Sequence, residues 1–120
     1  MSLELDLFIS SSENLSEIVG DLEAIVAIKP EQVDNNPYIL FKFEDGGKYL
    51  DIGTHDYVND MGINFENYDY VVTFDVRSSG DYDQFLRQFA KFIFDELKKK
   101  GKYHLMIVEG LSKEIEHYSP

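Results

Sequence analysis

The chain has 120 residues, with 23 Asp/Glu against 11 Lys/Arg, a formal net charge of −12, and no cysteine. That length fits a single domain, 1–120, and an apolar share of 43% is enough for a packed core. The lack of cysteine excludes disulfides and thiolate metal sites, and the acidic balance argues against nucleic acid and anionic membranes as partners.

The charge is unevenly placed. Residues 1–75 hold 16 acids against Lys29, Lys42 and Lys48, a net of −13, whereas residues 76–120 are net +1. No apolar run reaches the roughly 18 residues of a spanning helix. Glu4 and Asp6 interrupt what would be the core of a signal peptide, so a cytoplasmic location is expected.

Leu3, Leu5, Leu7 and Ile9 alternate with Glu4 and Asp6, the period of a half-buried strand. Asn14 and Glu17 form a capping-box pair ahead of Leu15, Ile18, Val19, Leu22, Ile25 and Val26, which predicts an amphipathic helix ending before Lys29-Pro30. Asp34-Asn35-Asn36-Pro37 reads as a turn, residues 38–44 as a strand, Asp45-Gly46-Gly47 as a hairpin turn and residues 48–52 as the returning strand. Residues 53–67 form a long connection, and connections of that length are often functional or mobile.

Tyr70, Val72, Phe74 and Val76 make one face of the strongest strand, within 68–77. Asp81 with Gln84 repeats the capping geometry, and the following helix runs to about Lys100 with Phe85, Phe89, Phe92, Ile93 and Leu97 as its expected apolar stripe. Phe94 and Tyr82 fall off that stripe, and one of them could mark a partner or dimer surface. Gly101 suits the left-handed cap, and Lys98, Lys99 and Lys100 suit the negative end of the helix. A last strand over 103–108 precedes a tail, 112–120, expected to fray.

The order β-α-β-β-β-α-β points to an α+β two-layer sandwich. About five mostly antiparallel strands would carry both helices on one face, as a ferredoxin-like variant. The other face would be bare and would display Glu4, Asp6, Lys42, Glu44, Asp69, Thr73, Asp75, Arg77 and His104.

No catalytic signature stands out. Asp69 and Asp75 share the polar face of a strand, but Arg77 beside Asp75 suits a structural ion pair better than acid–base work. His55, Asp56, Asp60, Asn64 and Glu66 offer ligand atoms on one loop without the spacing of an EF-hand or a His-x-x-x-His pair, so no metal or cofactor is expected. The only basic cluster, around Lys98 to Lys102, closes a helix.

The strand Leu5-Asp6-Leu7-Phe8-Ile9, the turn over 62–68 (Gly-Ile-Asn-Phe-Glu-Asn-Tyr) and the aromatic second helix resemble small uncharacterised acidic bacterial proteins. Some of these are similar to the immunity proteins of toxin systems. That resemblance implies a non-enzymatic immunity or inhibitor protein. The charge independently points to a basic protein partner, with Asp6, Glu44, Asp56, Asp60, Glu66, Asp69 and Asp75 as the candidate partner-binding residues. The alternative is a homodimeric ferredoxin-like regulatory domain that binds a small molecule, so a homodimer stays open.

Overall fold

A computed structural model describes residues 3–32, 38–43, 47–76 and 80–120. In chain order the elements are β1 (Leu5–Ser10), α1 (Leu15–Val26), β2 (Glu31–Gln32), β3 (Ile39–Lys42), β4 (Lys48–Thr54), a 3-10 turn (Phe65–Asn67), β5 (Tyr70–Val76), α2 (Tyr82–Lys99), β6 (His104–Glu109) and β7 (Lys113–Tyr118). The expected turn at 34–37, Glu44, Asp45, Gly46 and Arg77 lie outside the described residues. Among the described residues no helix is long and apolar enough to cross a membrane.

The strands form one open antiparallel sheet in the order β2-β3-β4-β5-β1-β6-β7. It is an α+β architecture, but with seven strands instead of five. Every neighbouring pair of strands is antiparallel. β1 lies between β5 and β6, so β5-α2-β6 is a split βαβ unit with the N-terminal strand inserted in it.

Both helices cover one face. Leu5, Leu7 and Ile9 of β1 point there with Leu50, Ile52, Val72, Phe74, Leu105 and Ile107, and meet Ile18 and Leu22 of α1 and the inner side of α2. Burying one such side chain contributes about 2 kcal/mol. The helix starts follow their predicted caps: the Asn14 carboxamide oxygen accepts from Glu17 N–H at 3.1 Å, and the Asp81 carboxylate from Gln84 N–H at 3.1 Å. Gly101, at φ +69°, follows the end of α2 as the sequence suggested.

Two expectations fail here. The buried side of α2 is Leu86, Phe89, Ala90, Ile93, Phe94 and Leu97, while Phe85 and Phe92 are 42% and 49% exposed. Successive residues turn by about 100°. Centring the stripe on Leu86, Ile93 and Leu97 therefore pushes Phe85 and Phe92 to the flank and draws Phe94 in, so Phe94 marks no partner surface.

The second failure is the tail. Residues 113–118 form β7, paired along β6. Gly110 and Leu111 both adopt positive φ (58° each), and Ser112 N–H closes the turn onto Glu109 O at 3.1 Å. Leu111 packs on the second face of the sheet, which compensates a conformation that a branched side chain rarely takes.

The second face is not wholly bare. The connection after β4 folds back across it. Ile63, Phe65 and Tyr68 cover Phe8, Val71, Met106 and Val108 in a small second core.

Candidate functional site

Alternation along each strand decides what the second face displays. With Leu50 and Ile52 turned toward the helices, Tyr49, Asp51 and Gly53 of β4 face the other way, as do Val71, Thr73 and Asp75 of β5. Register then aligns Asp51 with Thr73 and Thr73 with Asp6 on three adjacent strands. The Thr73 hydroxyl is near enough to both carboxylates to favour the charged form of each.

One hydroxyl carries one proton, so it can donate to only one of them at a time. Burial pushes the Asp6 carboxyl up to about 6. The nearby Glu4 and Asp51 add to the shift, and Thr73 opposes it. Burial raises the Asp51 carboxyl as well, again against Thr73. Across this row, then, the sheet holds two carboxylates that water solvates poorly.

The connection over 55–69 stands beside the row and is held by its own polar groups. Tyr57 N–H donates to His55 Nδ1 at 3.1 Å, and His55 Nε2 lies 2.6 Å from Tyr68 O. An acceptor at Nδ1 and a donor at Nε2 describe the neutral Nε2–H tautomer. The imidazole stacks on Tyr57 (5.4 Å, 29°) and meets Phe8 edge-on (5.1 Å, 83°). Asn59 and Glu66 exchange hydrogen bonds, each backbone N–H donating to the other's side chain at 2.9 and 3.0 Å.

At the tip, Asp60 and Ile63 pair across Met61 (φ 50°) and Gly62 (φ 76°), the two positive φ values of a type I′ hairpin turn. Tyr57, Val58 and Met61 remain 41%, 68% and 67% exposed. An open cleft of about 560 Å³ runs beside the connection, with Asp56, Tyr57, Val58, Glu66 and Asp69 in its wall.

The predicted partner-binding residues thus divide. Asp56, Glu66 and Asp69 share the cleft, and Asp60 closes the turn next to it. Asp6 belongs to the row on the sheet, one row away from Asp75, which lies opposite Tyr49. Glu44 is outside the described residues.

Sequence reasoning passed over Asp51, Tyr38 and Tyr57. Asp51 was findable from the alternation Leu50-Asp51-Ile52, whereas its meeting with Asp6 depends on strand order. Among the described residues, no three His, Asp or Glu side chains converge to hold a metal ion.

The ion pairs sort by side. Lys102 bonds Glu13 and Asp21 at 3.0 and 3.1 Å, Lys91 bonds Asp95 and Glu116, both at 2.9 Å, Lys99 bonds Glu96 and Arg87 bonds Glu109. All but Lys102–Glu13 place a partner on a helix, and a further contact, His117 to Glu114 at 3.4 Å, lies within β7. On the opposite side, Asp6, Asp51, Asp56, Asp60, Glu66 and Asp69 have no cationic partner among the described residues. No family model matches the chain, and comparison with curated proteins and with solved structures gives no significant match either.

Proposed function

We propose that the chain is a non-enzymatic, cytoplasmic binding protein whose acidic side engages a basic protein, as an immunity or inhibitor protein would. One observation carries this. Arg87, Lys91, Lys99 and Lys102 are used in ion pairs on the helix side, whereas Asp6, Asp51, Asp56, Asp60, Glu66 and Asp69 of the opposite side have no cationic partner among the described residues.

Exposed Tyr57, Val58 and Met61 among those carboxylates supply the apolar centre and polar rim typical of a protein interface. A cleft this open suits a protein surface better than a metabolite. Acidic residues in such a place speed encounter and fix orientation more than they add affinity.

The test is capture of the product of the neighbouring gene, followed by association kinetics at rising ionic strength. A basic partner should bind with an on-rate that falls ~10-fold or more between low and high salt. Absence of a basic partner, or an on-rate indifferent to salt, would refute this function.

A further inference from the structure

The covering of the second face stops part-way. Ile63, Phe65 and Tyr68 shield the β1 and β6 portion. Over β3, β4 and the middle of β5, Leu40 and Asp51 are only half-buried and Thr73 is exposed. Tyr38 and Tyr57 flank this stretch, 37% and 41% exposed.

The Tyr38 ring is seated against Gly53, where any Cβ would come within 2.2 Å of Tyr38 Cδ1. The glycine therefore makes room for an aromatic ring that is placed before any partner arrives, and such rings are favoured interface anchors.

We propose that this uncovered half of the sheet docks an arginine-bearing segment of a basic protein, its guanidinium lying over Thr73 between Asp6 and Asp51. The proposal deepens the reading of the chain as an acidic binding protein and rests on it. Charge decides the occupant. A second copy of this chain would bring the same unpaired carboxylates against these, whereas a basic segment neutralises them.

Donor count decides the side chain. Two strand spacings put Asp6 and Asp51 roughly 10 Å apart at the backbone, with their carboxylates reaching inward toward Thr73. Thr73 supplies a single proton. A guanidinium supplies five N–H groups in a planar fork that can serve both carboxylates, and it stacks on tyrosine rings; an ammonium does neither as well.

The groups that face Asp6 are Glu4 on its own strand, Thr73 and Asp51 across the sheet, Val108 on β6 and Tyr57 from the connection. None is cationic. Below about pH 6 burial and acidic neighbours hold the Asp6 proton in the unbound chain, and an arriving guanidinium would displace it. Docking in that range therefore releases a proton. Affinity should fall by up to about tenfold for each pH unit below about 6.

The test uses the blocked peptide acetyl-Gly-Arg-Gly-amide and its citrulline counterpart, titrated into the ¹⁵N-labelled chain. The arginine peptide should shift the amides of Asp6, Asp51 and Thr73 and bind more weakly below pH ~6. The citrulline peptide should not bind. Asp6→Asn with Asp51→Asn should abolish the shifts while the chain stays folded by circular dichroism, since both changes remove poorly solvated charge.

Shifts centred on Asp56 and Asp69, shifts spread evenly over the acidic surface, or equal binding of citrulline would overturn the proposal. Failure of the function is separately visible. A basic partner still captured by the double variant keeps the function and overturns the dock; peptide binding at Thr73 with no basic partner captured keeps the dock and overturns the function.

Discussion

Tyr38 lays its ring on Gly53, the residue opposite it on the neighbouring strand, so closely that no side chain fits beneath it. Gly53→Ala should lift that ring from the sheet at a cost of about 1–3 kcal/mol, the range of overpacking. The same substitution in a Tyr38→Ala background should stabilise by about 0.5–1 kcal/mol, because alanine suits a strand interior better than glycine. A urea-denaturation cycle over the four proteins checks the reversal of sign. Equal costs in both backgrounds would show that the ring is not what excludes a Cβ.

Asp6 is expected to cost stability at neutral pH. Its folded carboxyl holds a proton up to about 6, against an ordinary value of 3.8. The folded state thus binds protons more tightly than the unfolded state, and Asp6 costs nothing below about pH 4. As pH climbs through 6 the cost grows to at most about 3 kcal/mol. Asp6→Asn should therefore stabilise the protein near pH ~8 and leave it almost unchanged near pH ~4. Denaturation at both values is the measurement, and destabilisation near pH ~8 would contradict it. A residue kept at such a cost in the middle of a sheet fits a role in binding.

Tyr103 is wholly buried and donates its hydroxyl to the Asp21 carboxylate, which Lys102 also contacts at 3.1 Å. Burial alone would raise Asp21, but the Tyr103 hydroxyl and the Lys102 ammonium outweigh it and hold the carboxyl below its ordinary value. The lowered value means that this stabilisation is present above about pH 4 and is lost as the carboxylate protonates in acid. Tyr103→Phe should cost about 1–2 kcal/mol at neutral pH, and less in acid than at neutrality. A cost that does not change with pH would remove Asp21 as its source.

Much of this architecture is legible in the sequence because it is local. Asn14 with Glu17, Asp81 with Gln84, and the alternation of β1 and β5 each fix an element from neighbours a few residues apart. The angular setting of α2 is not legible in this way. Seven of the ten residues from Phe85 to Phe94 are apolar, so more than one stripe can be drawn, and only contact with the sheet selects Leu86, Ala90 and Phe94 over Phe85 and Phe92.

β7 escapes notice because its inward side chains include Glu116, which is bonded to Lys91. The row Asp51-Thr73-Asp6 requires strand order, which no local pattern encodes. The cover over Phe8 had a local signal in the alternation Ile63-Asn64-Phe65-Glu66, though not one that named its destination.

That cover supplies the last prediction. Phe65 is almost fully buried, its ring 5.0 Å from Phe8 and 6.0 Å from Tyr57. Phe65→Ala removes the largest apolar group between the connection and the sheet and should cost about 3–5 kcal/mol. Breaking the Asn59–Glu66 exchange with Asn59→Ala is milder, about 1 kcal/mol, because those groups are exposed and water replaces the lost bonds. Hydrogen exchange separates the two effects. Phe65→Ala should speed exchange over 55–69 and also at Phe8 and Met106 beneath, while Asn59→Ala should speed it within the connection alone. If Phe8 and Met106 stay protected in Phe65→Ala, the connection rests on the sheet without sealing it.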